Sequence, residues 1–530
     1  MKVTQIPFQK TGFFSKIMAD YLEQKESIQS FYHNFPDLEG FQKQINEKQA
    51  SFSVASRTLL VEALNKQYKK TNVSEETQHN IDLLLKENTF TVTTGHQLNL
   101  FTGPLYFLYK IISTINLCEE LQAEFPKQHF VPVYWMATED HDFDEINYFN
   151  FQEKKIQWNR ADGGAVGRFS TEGLQAVFEA FSEQLGTTRN AASLKELFKK
   201  AYLQHADLAS ATRCIANELF SNYGLVIIDG DDTILKQFFL PFVKEELLNG
   251  TSFQAVSITI STLQKEYAIQ VNPREINLFY LGDNSRERII KEGEHYIVNN
   301  TEISWSLDEV LEEATKYPER FSPNVLMRPL YQEVVLPNLC YIGGGGELAY
   351  WLELKVYFKE VNISFPILLL RNSVQVISEN QQKKLNNLNI SVEELFLKQH
   401  DLLAKKVTEN AEISLDFSMQ RKQLVAQFKK LKAVAKKTDV SFIGAVNAQE
   451  KKQLKGLDTL EKRLLRAEKR RQKELVTRII EIQNQLLPNQ SLEERQRNFS
   501  GYYLEYGDAF IKALKVSLKP LQLEFTILEM

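Results

Sequence analysis

The spacing of apolar positions changes along this 530-residue chain, and each change marks a new element. Residues 1–88 carry apolar residues at helical spacing, as in FSKIMADYL and RTLLVEALNKQY, and Ser74 before Glu75-Glu76 predicts a helix start. From Thr89 the period shortens. TFTVTTGH is β-branched and aromatic and ends in a glycine turn, which predicts a buried strand opening into a loop. GPLYFLYKIISTINLCEELQAEF returns to helical spacing, with Pro104 suited to its first turn. VPVYWMA then predicts a second buried strand that ends in an acidic loop. Strand, glycine loop, helix and strand make a βαβ unit, so the fold class is α/β with a Rossmann-like parallel sheet.

The pattern is then interrupted and resumed. Residues 1–147 hold the N-terminal helices and the first half of the core. Residues 148–200 read as an insertion, with a strand at KKIQWN, a turn at Asp162-Gly163-Gly164, and helices. Residues 201–250 continue the core through the helix SATRCIANELFSNYG and the strand LVIIDGDD, whose Asp229, Asp231 and Asp232 are second-rank site candidates. Residues 251–320 read as a second insertion of short strands at AIQVNP, NLFYLG and RIIKEGEHYIVN, and residues 321–372 return to the core with PNLCYIGGGGELAYWLELK and the strand SFPILLL.

Residues 373–490 change character: Lys, Glu, Gln, Leu and Asn dominate, and glycine and proline almost vanish. Ser391-Val392-Glu393-Glu394 fits a capping box. Leu424, Phe428, Leu431 and Ala435, then Leu457, Leu460, Leu464 and Ala467, then after a break at Arg471 Leu475, Ile479, Ile482 and Leu486, step by threes and fours. That seam predicts an antiparallel coiled-coil arm, with its loop near Val440–Ala445. Residues 491–530 predict a helix-and-strand tail packed on the core.

Composition narrows the function classes. A net charge of −5 does not suit a protein that mainly binds nucleic acid. Three scattered cysteines, Cys118, Cys214 and Cys340, form neither a disulfide framework nor a zinc ribbon. No apolar run suits a signal peptide or a membrane span, so the cytoplasm is the expected compartment.

Three constellations can carry chemistry. Thr94-Gly95-His96-Gln97 ends a core strand, where ligands bind in open α/β sheets, and Gly103-Pro104 with Tyr106 opens the next helix. Glu139-Asp140-His141-Asp142 ends the second strand; such a cluster can hold an amine, act as acid and base, or bind a metal, although its spacing matches no strong metal signature. Asn324, Arg328 and Gln332 are followed by Gly343, Gly344, Gly345, Gly346, Glu347 and Tyr350, where glycines admit close approach of a ligand and Arg328 could pair with an anion. The bland readings are a satisfied βα loop, a helix cap and a flexible glycine loop.

Taken in order, TTGHQLNLFTGPLYFLYK, VPVYWMATEDHDFDEI and SPNVLMRPLYQEVVLPNLCYIGGGGELAYWLELK resemble the bacillithiol-synthesis cysteine-adding enzyme family, and the arm and tail extend the resemblance over the chain. The resemblance implies a core similar to class I aminoacyl-tRNA synthetases, connecting-peptide insertions and homodimerisation through the coiled coil. It implies a ligase that adds L-cysteine to the amine of glucosaminyl-malate, with ATP activating the cysteine carboxylate. On that reading His96, Glu139, Asp140, His141 and Asp142 are catalytic candidates. His96 and the Gly103-Pro104 start would contact phosphate, the acidic residues an ammonium group, and Arg328 with the glycine run the malate carboxylates or the nucleotide. The rival is a non-catalytic assembly protein that uses the arm to recruit a partner and the core to sense a nucleotide or thiol metabolite.

Overall fold

The computed structural model describes residues 1–160 and 163–530. Asp162, part of the expected turn, lies outside the described residues. The chain divides into two compact units. The larger comprises Met1–Gln9, Phe13–Gln375 and Glu493–Leu528, and the smaller comprises Lys10–Gly12, Val376–Leu492 and Glu529–Met530.

The larger unit is built on five parallel strands: β1 (Thr89–His96), β2 (His129–Met136), β3 (Val226–Asp229), β4 (Asn338–Gly343) and β5 (Ile367–Leu370). Their spatial order is β5-β4-β1-β2-β3, and all four pairings are parallel. This is the doubly wound order, in which the chain moves outward from β1 in one direction and then returns to build outward from it in the other. Both faces of the sheet are covered, which is why its strands read as continuous apolar runs and do not alternate. Phe90, Val92, Leu339, Ile342, Ile367 and Leu369 share one buried cluster with Phe41, Ile45, Leu117 and Leu121 from flanking helices.

Four helices position the site: α1 (Tyr106–Glu124), α2 (Thr233–Asn249), α3 (Met327–Val335) and α4 (Gly345–Trp351). Helix α1 starts two residues after Pro104. Phe101, Thr102 and Gly103 all take positive φ (47°, 69° and 61°), so the backbone cannot enter the helix earlier. Gly103 is required there, since a Cβ would lie 2.6 Å from Asn99 Cβ. The C-terminal residues lock this turn: the Asn498 amide donates to the Phe101 carbonyl (2.7 Å) and the Gly103 carbonyl (2.6 Å). The Leu105 N–H donates to the Arg497 carbonyl (2.8 Å), so that N–H is already taken by the protein.

One expectation fails in the second insertion. AIQVNP forms no strand; the Gln270 N–H bonds the Glu353 carboxylate at 2.8 Å instead of a ladder partner. Thr251–Leu263 is a helix despite its β-branched residues, because Ala255, Val256, Thr259 and Leu263 supply one buried face and burial overrides weak propensity. NLFYLG and RIIKEGEHYIVN do form strands, Leu278–Leu281, Arg286–Glu292 and His295–Val298, in one antiparallel sheet.

The smaller unit contains α5 (Ser418–Ala435), α6 (Val440–Arg471) and α7 (Lys473–Leu486). α5 and α6 run antiparallel: Phe428, Ala435 and Val446 are buried together, Arg421 bonds Glu461 (3.2 Å) and Asp458, and Lys432 pairs with Glu450. The turn lies at residues 436–439, earlier than the expected loop, because the Asp439 carboxylate caps α6 by accepting from the Ser441 (2.7 Å) and Phe442 (3.1 Å) N–H groups. The break at Arg471 is present, with Gln472 between α6 and α7. Two expected seam positions are not covered: Leu431 is 49% and Leu460 53% exposed.

Candidate functional site

In a sheet of this order, the loops after β1 and β4 leave the sheet in opposite directions, and a crevice opens between their C-terminal ends. A cavity of about 830 Å³ lies there, within the usual range for a small-molecule site. Its wall includes Gln97, Asn99, Gly103, Pro104 and Tyr106 from the β1–α1 loop, and Glu145 from the loop after β2. Gly344, Gly345, Gly346, Glu347 and Tyr350 follow β4, Arg371 follows β5, and Arg495 comes from the C-terminal segment.

The β1 end is fixed first. The Thr94 hydroxyl donates to the Ile342 carbonyl (2.7 Å), tying β1 to β4. Gly95 is closely approached: a Cβ would lie 3.3 Å from the Tyr341 hydroxyl and 3.6 Å from Arg328 Nη1. The Gly95 carbonyl accepts from Lys110 Nζ at 2.7 Å. Lys110, about one turn into α1, continues to Glu347, with its Nζ 2.6 Å from Oε1. Glu347 also accepts from the Tyr341 hydroxyl (2.8 Å) and the Gly344 N–H (3.3 Å). Burial pushes the Lys110 ammonium below its usual range. Burial also opposes ionisation of Glu347, but the Lys110 charge and its hydrogen bonds outweigh this and hold the carboxyl below the usual range. The glycines are ordered rather than loose. Gly343 ends β4, Gly344 caps α4, and a Cβ on Gly343 would lie 2.9 Å from the Tyr341 ring.

Gln97 joins two of the expected constellations. Its amide donates to Asp140 Oδ2 (2.8 Å) and Glu145 Oε2 (2.9 Å), so Asp140 sits directly behind the cavity wall. Asp140 Oδ1 accepts from the His141 (2.7 Å) and Asp142 (3.3 Å) N–H groups, shaping the acidic loop.

Several expected site residues stand elsewhere. His96 is 7% exposed and does not line the cavity. It packs against Tyr106 and Phe107, with ring centroids 5.4 and 5.1 Å away, and its Nε2 has no hydrogen-bond partner. Burial, together with the charges of Lys110 and Arg371, pushes its pKa well below the usual histidine value, so the ring is neutral. Glu139 points to α2, where Lys236 pairs with it and also donates to the Phe321 carbonyl (2.7 Å). His141 accepts from Arg286 at 2.9 Å, and Asp142 precedes the short helix Phe143–Ile146 without a side-chain cap bond. Asn324 caps α3 by accepting from Leu326 (2.9 Å) and Met327 (3.3 Å). Arg328 donates to Gln332 (3.1 Å), with its guanidinium 5.5 Å from the Tyr341 ring centroid, and Gln332 is fully buried. None of these residues lines the cavity.

Beside the cavity stands a second polar cluster. Asp231 holds Arg168 through two bonds (2.6 and 2.8 Å), and the Thr138 hydroxyl donates to Asp229. Burial, with the Asp231 charge beside it, pushes the Asp229 carboxyl up to about 6. Among the described residues, no group of three or more His, Cys, Asp and Glu side chains is placed to hold a metal ion.

Sequence reasoning missed Arg371 and Arg495 as cavity residues, placed Glu145 only just beyond the acidic cluster, and left the direction of Lys110 open. Arg371 follows an apolar strand as one unremarkable cation, and Arg495 lies more than 300 residues from β1. Only Glu145, five residues beyond Asp140, carried a local signal.

Comparison with known proteins accords with this architecture. Residues 1–372 match the model of the bacillithiol biosynthesis BshC N-terminal Rossmann-like domain, and residues 374–530 match that of the BshC C-terminal coiled-coil domain. A protein of Flavobacterium johnsoniae named "Putative cysteine ligase BshC" is 56% identical over 99% of both chains. Proteins of the same name from Christiangramia forsetii and Bacillus cytotoxicus are 55% and 27% identical, over 100% and 94% of this chain and 99% and 94% of theirs. A solved structure titled as an arginyl-tRNA synthetase of Campylobacter jejuni aligns over 88% of this chain and 98% of its own. With 9% identity and a TM-score of 0.22, it carries no argument. With both halves matched in order and relatives aligned end to end, the chain belongs to the BshC family of bacillithiol biosynthesis and is a ligase of that pathway.

Proposed function

We propose that the protein joins the carboxyl carbon of L-cysteine to the amine of glucosaminyl-malate, with ATP activating the carboxylate. The observation that carries this reading is the acidic wall of the switch-point cavity, where Glu145 and Asp140 are bridged by Gln97. An amine must be gathered as its ammonium ion and then lose a proton before it can attack, and a carboxylate wall serves the first step and can assist the second. Among the described residues Glu145 has no cationic partner, so its charge is available to a ligand.

A free carboxylate does not acylate an amine at neutral pH. In the proposed sequence a cysteine carboxylate oxygen attacks ATP, forming cysteinyl-adenylate with release of pyrophosphate, or an acyl phosphate with release of ADP. The sugar amine then attacks the acyl carbon, the amide forms, and AMP or phosphate leaves with the nucleophile's proton passed to a base. The cavity suits small substrates of this size. His96 acts indirectly in this reading, by holding Tyr106 at the wall.

The test is purified protein with cysteine, glucosaminyl-malate and ATP, followed for thiol product and for AMP or ADP. Product without nucleotide consumption refutes the activation step, and no product refutes the reaction.

The arm belongs to the same proposal as the contact of a homodimer. Val425, Leu431, Val434, Phe442 and Leu460 are exposed on the hairpin, apolar surface that a second copy can cover. Deleting Ser414–Leu486 should give a monomer by mass in solution; a truncated protein that stays dimeric refutes this assignment.

A further inference from the structure

Charge around the cavity cancels in two places and is left over in two others. Lys110 neutralises Glu347 on one wall. Arg371 pairs with Glu494 through two bonds, Nη2 to Oε1 at 2.6 Å and Nη1 to Oε2 at 3.1 Å. Glu145 and Arg495 both line it and have no ion-pair partner among the described residues. A cavity with separated, unneutralised charges of opposite sign suits a ligand that carries both signs itself.

Arg371 adds a second, independent observation. It is 5% exposed, and its Nη1 is also spent on the Asn372 carbonyl (3.0 Å) and the Ser373 hydroxyl (3.1 Å). Its guanidinium carbon lies 5.1 Å from the Tyr106 ring centroid, and its Nε–H has no acceptor. An unmatched donor on a buried guanidinium costs free energy unless something completes it. The backbone beside it is cut away to leave room. Gly344 has ordinary φ and ψ (−76°, 166°), so no turn requires glycine there, yet a Cβ at that position would stand in the cavity wall 3.8 Å from Arg371 Nε and 3.4 Å from Glu347 Oε1.

We propose that Arg371 and Arg495, with the gap left by Gly344, form an anion subsite that takes a carboxylate of the amine-bearing substrate while its ammonium group faces Glu145. Arg371 supplies the fixed Nε–H from the wall, and Arg495 supplies the mobile charge at the rim. Because Glu494 already neutralises Arg371, the subsite selects by geometry at Arg371 and by charge at Arg495. This assignment rests on the amide-forming reading for the identity of the substrate but not for the existence of the subsite.

The experiment has a binding arm and a turnover arm on the full-length protein. Succinate and inorganic phosphate are titrated separately by calorimetry into wild type, Arg495→Gln and Gly344→Ala. Both positions tolerate the change, since Arg495 is exposed and the new methyl meets only ordinary contacts. Succinate should bind wild type and weaken about tenfold in each variant, the scale of one charged hydrogen bond. In turnover, KM for glucosaminyl-malate should rise about tenfold in each variant, with KM for cysteine unchanged. Tight phosphate binding without succinate binding overturns the carboxylate assignment, and succinate affinity unchanged in both variants overturns the subsite. If wild type forms no amide, the proposed reaction fails, while the succinate arm still decides whether the subsite exists.

Discussion

Two charged clusters stand at neighbouring strand ends, and they differ in what their charges meet. After β2 and β3, Glu139 faces Lys236, Asp231 faces Arg168 and Asp229 accepts from Thr138, so each carboxylate is answered from within the protein. Across β1 and β4, Glu145 and Arg495 line the cavity without an ion-pair partner among the described residues, and the buried Arg371 Nε–H beside it has no acceptor. Acidic residues at the end of a parallel strand are therefore not in themselves a site. The distinction is whether folding has already supplied the counter-charge, because a buried pair that is complete gains nothing from a ligand.

Removing a counter-charge gives the largest expected effect on this comparison. Lys236→Ala leaves Glu139 buried without its cation and should cost about 3 kcal/mol in denaturant unfolding. Pairing it with Glu139→Gln should recover part of the loss. If Lys236→Ala abolished turnover in a still-stable protein, the closed cluster would belong to the chemistry after all. Next, Glu145→Gln keeps the Gln97 contact but removes the open charge. It should lower kcat/KM for the amine substrate by about 10- to 100-fold, as for a hydrogen bond to a charged group, with little change in Tm.

A third expectation separates the clusters by pH. Asp229 is raised from 3.8 to about 6 on folding, so the folded state holds its proton more tightly than the unfolded state. Its contribution is full below pH 4 and is lost as pH rises through about 6. Asp229→Asn should remove that loss, leaving the variant more stable than wild type at pH 7 by about 3 kcal/mol and no more stable below pH 4. A variant with the same pH slope as wild type would contradict the assignment. Smallest of all, His141→Ala should change kcat/KM less than about twofold and stability by less than about 0.5 kcal/mol, since the ring is half exposed and outside the cavity wall. A large loss of turnover would return His141 to the site.

Particular residues show how far the sequence could be read. The run from Thr89 to His96 is a strand over those same residues, because an apolar β-branched stretch ending in glycine has few alternatives. Gln97 and Asp140 were legible as neighbours, because they follow adjacent strands of one βαβ unit. His96 was legible as buried polarity but not in its direction; only its packing on Tyr106 and Phe107 turns it away from the cavity. AIQVNP misled, since its short apolar alternation reads locally as a strand, while the Gln270 N–H bonds the Glu353 carboxylate and no ladder forms.

By itself the sequence determined the parallel βαβ core, the helical arm with its break at Arg471, and the glycine-lined end of β4. Each is written locally, as a short continuous apolar run, a period of three and a half or a run of glycines, and such a pattern survives whatever surrounds it. The tertiary structure alone decided which charges remain open. Lys110 meets Glu347 across 237 positions and Arg371 meets Glu494 across 123. Whether a charge is spent or available depends on such partners, and distance along the chain carries no record of them.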